Sequence, residues 1–293
     1  MRVLTVGETM AMLDPLEDGA TYRLRIGGAE SNFAVALTRL GVEVTWVSRL
    51  GADPFGDLVA GTLAREGVDV RVRRDPERPT GVYFKSRAGS ETRMHYYRAG
   101  SAATQLAPAD VPDEALEDVS LVHLTGITPA LGDGPRELVR QVAARARIRG
   151  IAVLLDPNYR AALWASPADA AGALPVADWV LCSLEEGNVL YGTDSPAELA
   201  RAVGGNVAIR VGERGALVTD GDQLVEVRPG SLEDVVDEVG AGDGFAAGFA
   251  YGLLHGWPPV RCANAGNVVA AGALRGGGDW ETYRRLEDIE GQL

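Results

Sequence analysis

The chain has 293 residues, with 28 Lys+Arg against 41 Asp+Glu and a net charge of −13. That balance disfavours nucleic acid and anionic membrane surfaces as partners, and no apolar run is long enough to span a bilayer, so a small-molecule role in the cytoplasm is the expectation. The 2 cysteines, Cys182 and Cys262, and the 3 histidines, His95, His123 and His255, lack metal-ligand spacing, which argues against zinc and leaves the cysteines as small buried residues.

Residues 4–6 read as a first buried strand. Gly27-Gly28-Ala29-Glu30-Ser31-Asn32 then forms a glycine turn feeding a helix over 33–40, closed by Gly41. A strand at 42–48, a helix at 55–66 stopped by Gly67 and a strand at 68–72 continue the alternation. Between about 79 and 100 the pattern changes to two runs, 81–86 and 94–98, which predict an inserted hairpin around Ala88-Gly89-Ser90. The alternation resumes with a strand at 120–124, a helix at 135–149 and strands at 151–156 and 179–183. Further strands are expected at 207–211, 216–219 and 224–227, then two helices rich in Ala and Gly at 244–254 and 260–274. Continuous apolar strands of this kind suit a sheet covered on both faces. The reading is one doubly wound α/β domain with a mostly parallel central sheet and a small β lid.

The most informative stretch is Val239-Gly240-Ala241-Gly242-Asp243-Gly244, where an acid follows three small residues at a helix mouth. The glycines let the backbone approach a ligand, and the N–H groups opening a helix lack intrahelical acceptors, so they suit an anion such as phosphate. Asp243 is then either a helix cap or a base that removes a proton from an attacking hydroxyl. Other candidates follow from the rule that ligands lie beyond the carboxyl ends of parallel strands. Asp156-Pro157-Asn158-Tyr159-Arg160 leaves such a strand, and Arg160 can clamp a carboxylate or phosphate or belong to a plain polar loop. Arg98, after Tyr96 and Tyr97 at the root of the lid, is a second cationic fork or a surface arginine. Tyr83 packs on a sugar or on a neighbouring strand. Glu186, after Ser183 at a helix start, can hold Mg²⁺ through water or serve the helix dipole. Gly212-Glu213-Arg214-Gly215 is a hairpin turn or a nucleotide contact, and Asn267 is an adenine neighbour or a packing residue. The chain lacks GxxxxGK[ST] and an N-terminal GxGxxG, so neither a P-loop nor a dinucleotide oxidoreductase fits. Lys85 is the lone lysine, and the other cations are arginine, whose planar fork suits carboxylates and phosphates.

Two separated signatures, residues 27–41 with Gly51-Ala52-Asp53-Pro54-Phe55-Gly56 after them, and residues 237–248, resemble the ribokinase-type (PfkB) carbohydrate kinases, and the resemblance runs from end to end. Tyr96-Tyr97-Arg98, Gly100-Ser101-Ala102, the run at 123–131 and 156–160 with Leu163-Trp164 are most similar to 2-keto-3-deoxygluconate kinases. The resemblance implies a ribokinase-like, Rossmann-type three-layer fold with a β lid from about 9–30 and 68–105 that serves as a homodimer or higher-order interface. It also implies ATP as phosphoryl donor with Mg²⁺, and phosphorylation of the C6 hydroxyl of 2-keto-3-deoxygluconate. By the same resemblance Asp243 is the base, Gly240, Ala241 and Gly242 form the anion hole, and Gly28, Asn32, Tyr83, Arg98 and Arg160 contact the sugar acid. Ser183, Gly212, Gly215, Gly242 and Asn267 meet the nucleotide, and Glu186 falls in the metal-water motif. Glu238, where many members carry Thr or Pro, and Ser183, where many carry Asn, depart from the pattern. A fructokinase shares the mechanism without a carboxylate clamp, and a non-catalytic sugar or nucleotide sensor is the rival from another class.

Overall fold

In chain order the strands are Arg2–Val6 (β1), Met10–Pro15 (β2), Tyr22–Gly27 (β3), Glu43–Gly51 (β4), Asp69–Asp75 (β5), Val82–Ala88 (β6) and Glu91–Tyr97 (β7). They continue with Val119–Thr125 (β8), Ala152–Asp156 (β9), Trp179–Ser183 (β10), Asn206–Arg210 (β11), Ala216–Asp220 (β12) and Gln223–Val227 (β13). The principal helices are Ala29–Arg39 (α1), Pro54–Arg65 (α2), Asp133–Ile148 (α3), Pro167–Ala173 (α4), Leu184–Tyr191 (α5), Pro196–Val203 (α6), Ala241–Leu254 (α7) and Pro259–Ala273 (α8). The structure is a computed structural model that describes residues 1–293 except 17–18, 89–90, 231–238 and 276–277. The signature residues Asp237 and Glu238, and the hairpin tip Gly89-Ser90, lie outside the described residues.

One nine-stranded sheet has the order β13-β12-β11-β10-β9-β8-β1-β4-β5. From β5 to β11 neighbouring strands pair in parallel, and β12 and β13 complete the edge antiparallel. The chain builds outward from β1 to β5, then returns to lay β8 against the other side of β1. Strand direction of growth therefore reverses between β1 and β8, and a crevice opens there above the carboxyl ends of the strands.

Two apolar cores cover the sheet's faces. One joins Phe33 and Leu37 of α1, Val59 and Leu63 of α2, and Phe245 and Phe249 of α7; the other joins Leu138, Val139 and Val142 of α3 with Leu199 of α6. Each fully buried Leu, Val or Phe contributes about 1.5–3 kcal/mol from burial, so the layers are held by many comparable contacts. This is the α/β/α arrangement expected from the apolar strands. Cys182 and Cys262 are both buried and free, and burial pushes each thiol up to about 12. His123 on β8 stacks on Phe33 with ring centroids 3.8 Å apart, and burial drives its pKa down to about 3, so it is a neutral core residue.

A separate four-stranded sheet has the order β3-β2-β6-β7. β2 runs antiparallel to β3 and parallel to β6, and β6 and β7 form the expected hairpin. The stretch assigned to the lid after residue 68 is thus divided: β5 pairs with β4 in the large sheet, and only β6 and β7 join the small one. β2 and β3 were not legible as individual strands, because β2 ends in Pro15 and β3 carries Arg23 and Arg25 between its apolar residues.

The closest helix packing is between α7 and α8. A Cβ on Gly248 would lie 2.3 Å from the Ala265 carbonyl oxygen, which is backbone and cannot move aside. Gly248→Ala should therefore lower stability by about 1–3 kcal/mol, the usual cost of overpacking, despite the better helix propensity of alanine. Urea unfolding should give this loss; a variant as stable as the parent would show that the two helices can separate freely.

Candidate active site

The crevice is about 1390 Å³ and is lined from both sheets and from α1, α5, α7 and α8. Two helices open into it. α1 begins after Gly28 and α7 after Gly240, and neither start is capped by a side chain. Gly240 takes φ +85°, in the left-handed region, and a Cβ there would lie 1.9 Å from the Asp279 carbonyl oxygen, so only glycine fits. The amides of Ala241, Gly242 and Asp243 consequently open a 14-residue helix toward the crevice, with no acceptor inside the helix. The first intrahelical bond runs from Gly244 N to Gly240 O at 2.9 Å.

Asp243 lies between two amides from different elements. Asn32 Nδ2 on α1 donates to Asp243 Oδ2 at 2.8 Å, and Asn158 Nδ2, from the loop after β9, donates to Oδ1 at 3.3 Å. Asn158 takes φ +40°, which Asn tolerates better than most residues. The side-chain oxygens of Asn32 and Asn158 are buried and have no hydrogen-bond partner among the described residues. Burial raises the Asp243 pKa to about 7, with the Asn32 hydrogen bond acting in the opposite direction, Asp156 and Asp279 adding to the rise and Arg160 opposing it. A carboxylate poised there is suited to proton removal near neutral pH.

Behind Asp243 the charges are cross-linked. Arg210, closing β11, donates to Asp156 Oδ2 at 2.7 Å and Oδ1 at 3.3 Å and to Glu186 Oε2 at 3.2 Å. The two carboxylates raise the Arg210 pKa although burial opposes them. Glu186 also accepts from Tyr159 N and Ser183 N, each at 2.8 Å, while its own amide donates to Ser183 Oγ at 3.1 Å in a capping box. Three of the roughly four acceptor positions of the Glu186 carboxylate are thus occupied, which leaves room for one water. Ser183 spans its cap and the crevice wall at once.

Of the two expected cationic forks, one is paired. Arg98 is buried, its Nε donates to Glu8 Oε2 at 2.7 Å and its Nη2 pairs with the same oxygen, while Ser101 Oγ donates to Glu8 Oε1 at 2.5 Å. Arg98 Nη1 has no partner among the described residues. Arg160 is exposed on the crevice wall and has no ion partner among the described residues. Tyr83 Oη donates to Asp279 Oδ2 at 2.7 Å, which leaves the hydroxyl able to accept a further bond. Gly212 and Gly215 form a tight turn after β11 on the opposite wall, where Asn267 Nδ2 donates to Val227 O at 3.0 Å. All the site residues expected from the sequence line this one crevice.

Several neighbours were not foreseen as site residues. Arg210 had a visible signal, a charge ending an otherwise apolar strand. Glu8 and Glu30 carry no local signal of a role; Glu30 is fully buried in α1, accepts from Thr125 and Thr128 at 2.6 and 2.7 Å on one oxygen, and has its pKa raised by burial. Asp279 and Tyr283 had none, because nothing local links a Gly-rich C-terminal stretch to a crevice formed elsewhere.

Against known proteins, the chain matches the pfkB family carbohydrate kinases over residues 1–282. It is 34% identical to a 2-dehydro-3-deoxygluconokinase of Bacillus subtilis, with 98% of this chain and 93% of the relative covered. It is also 34% identical to a 2-dehydro-3-deoxygalactonokinase of Haloferax volcanii, over 92% of this chain and 89% of that protein. The crystal structure of an uncharacterized sugar kinase of Pyrococcus horikoshii in complex with ATP superposes with a TM-score of 0.86 at 26% identity, covering 98% of this chain and 97% of that one. The chain belongs to the pfkB family of carbohydrate kinases, and its fold is ribokinase-like.

Because only ionised Asp243 can accept a proton, kcat/KM should fall about tenfold per pH unit as pH drops below about 7. Asp243→Asn should cut turnover about 10²- to 10⁴-fold and abolish that acid limb. Initial rates of ADP release from pH 5 to 9 check both, and an acid limb retained in the variant would assign the titration to another group.

Proposed function

We propose that this kinase transfers the γ-phosphoryl group of ATP to the C6 hydroxyl of 2-keto-3-deoxygluconate, giving 2-keto-3-deoxy-6-phosphogluconate. The observation that carries the reading is Asp243, held by Asn32 and Asn158 at the mouth of an uncapped helix, in one crevice with Arg160, which has no ion partner among the described residues. A base beside an anion hole accounts for phosphoryl transfer, and a free cation accounts for an acidic acceptor. The names of the B. subtilis and H. volcanii relatives support the same substrate class.

The sugar acid lies between the lid and α1, against Gly28, Asn32 and Tyr83, with its carboxylate toward Arg160 and the remaining Nη1 edge of Arg98. Glu8 cancels most of the Arg98 charge, so Arg160 supplies the net attraction. Asp243 accepts the proton of the C6 hydroxyl, the oxygen forms a bond to the γ-phosphorus, and the bond from that phosphorus to the leaving ADP oxygen breaks in line. The residue 240–242 amides meet the charge that builds on the transferred group.

The opposite wall fits a nucleotide. A Cβ on Gly215 would lie 2.3 Å from Val227 O and 3.0 Å from Asn267 Nδ2, so the turn closes tightly beside Asn267 and keeps the wall low. Gly212, Gly215, Ser183 and Asn267 would meet ATP there. Mg²⁺, when bound, neutralises phosphate charge, and the remaining acceptor position of Glu186 suits a metal-bound water rather than direct ligation. No described helix is long and apolar enough to cross a membrane, and the reading places the enzyme in the cytoplasm with its ATP.

ADP release should be fastest with 2-keto-3-deoxygluconate in a panel that includes 2-keto-3-deoxygalactonate, fructose and ribose. Arg160→Ala should lower kcat/KM for the acids about 30- to 1000-fold, the effect of removing one partner of a desolvated charge, and change fructose less than about threefold. Equal losses on acids and neutral sugars would make Arg160 structural and favour a fructokinase.

The lid's outward face, with Tyr22, Leu24, Phe84 and Tyr97, fits pairing with a second copy, since Tyr97 is 68% exposed and Tyr22 and Leu24 are 41% and 45% exposed. Phe84 stacks edge-on with Tyr22 and Tyr97, which makes one continuous aromatic patch. Tyr97→Glu should shift the protein to monomer in light scattering; a monomeric parent would remove this assembly.

A further inference from the structure

Lys85 is 0% exposed on a lid strand, and its ammonium donates to Asp279 Oδ1 at 2.7 Å. The other Asp279 oxygen accepts from Tyr83 on the same strand at 2.7 Å. Asp279 belongs to residues 278–283, which also grip the lid at two further points: Trp280 Nε1 donates to Ile26 O of β3 at 3.1 Å, and Glu281 pairs with Arg25. On its other side the same stretch meets the start of α7. The Asp279 carbonyl occupies the space where a Gly240 side chain would begin, and Tyr283 Oη donates to Gly240 O at 2.6 Å. Arg39 of α1 fixes the stretch from below by donating to the carbonyls of Trp280, Glu281 and Tyr283 at 3.2, 3.1 and 2.7 Å.

A buried lysine and a buried aspartate are expensive to desolvate, and an apolar pair of similar volume is often as stable. Fold stability therefore does not explain this pair; its location does. The sugar is held by the lid and the phosphate by the mouth of α7, two parts of the molecule that share no strand. In-line transfer needs their reacting atoms about 3–3.5 Å apart, and an error near 1 Å can cost about 100-fold in rate. We propose that Asp279 is a positioning residue: through Lys85 and Tyr83 on one side and Gly240 on the other, residues 278–283 register the sugar-binding lid against the anion hole. This rests on the phosphoryl-transfer reading above, but the registration itself can be tested without turnover.

The test uses the neutral pair Lys85→Met/Asp279→Asn in the full chain, which removes both charges of this pair together, and independently Tyr283→Phe, which removes only the hydroxyl on Gly240. With the sugar acid that the parent turns over fastest, each should lower kcat about 10- to 100-fold while KM for sugar and for ATP shifts less than about threefold. A folded variant with parental kcat, or one that raises only the sugar KM, overturns the proposal. If the double variant does not fold, Tyr283→Phe alone decides on the same criteria. Hydrogen exchange on the unliganded proteins supplies the readout independent of activity: the amides from Gly244 onward in α7 should exchange at least about tenfold faster in the variants, with α3 unchanged. Acceleration confined to the lid strands would overturn the registration, whereas a parent inactive on every sugar would sink the functional reading and leave the exchange result to judge the strap.

Discussion

A carboxylate can be kept beside a phosphate site only if the surrounding charges are already accounted for, and most of the crevice follows from that constraint. Glu8, Glu30, Glu186 and Asp279 line the same crevice as Asp243, and Asp156 and Asp279 are close enough to raise its pKa. Left unpaired, these groups would repel the ligand and one another. Instead Arg210 holds Asp156 and Glu186, Arg98 holds Glu8, and Lys85 holds Asp279. Glu30 has no ion pair among the described residues, and burial raises its pKa against the opposing hydrogen bonds from Thr125 and Thr128. Asp243 alone is held by neutral amides, which orient it without cancelling its basicity.

That pairing also separates the two arginines that look equivalent as sequence. Both Arg98 and Arg160 end on the crevice wall, yet one enters the site as half of an ion pair and the other as a net positive charge. In the proposed reading, attraction for an acidic substrate depends mainly on Arg160, while the Arg98 fork is fixed by Glu8.

The site is assembled from ends of elements rather than from any one segment. Thr125, Asp156, Ser183 and Arg210 terminate β8, β9, β10 and β11, and α1 and α7 point their starts at the same space. The reversal between β1 and β8 makes that space open, because the helices following the strands depart in opposite directions. The small sheet then covers it, with Tyr83 and Lys85 facing inward and Tyr97 facing out.

Apolar runs bounded by glycine were enough to place most strands and helices, because a strand covered on both faces has to be continuously apolar and a left-handed helix stop favours glycine. Gly240-Ala241-Gly242-Asp243 was legible for a similar reason: only small residues let a backbone cradle an anion, and an acid there stands out chemically. The strands of the lid at 10–15 and 22–27 were not legible one by one, since half-exposed arginines and a proline blur their alternation, and β5 was placed with the lid although it pairs with β4. Local sequence was equally silent on which charges would be partners. Glu8 and Arg98 are 90 residues apart, and Lys85 and Asp279 are 194 apart. Whether an arginine is a free clamp or half of an ion pair depends on what tertiary packing sets within hydrogen-bond reach, and pairwise electrostatics at 3 Å leave no trace in residue order.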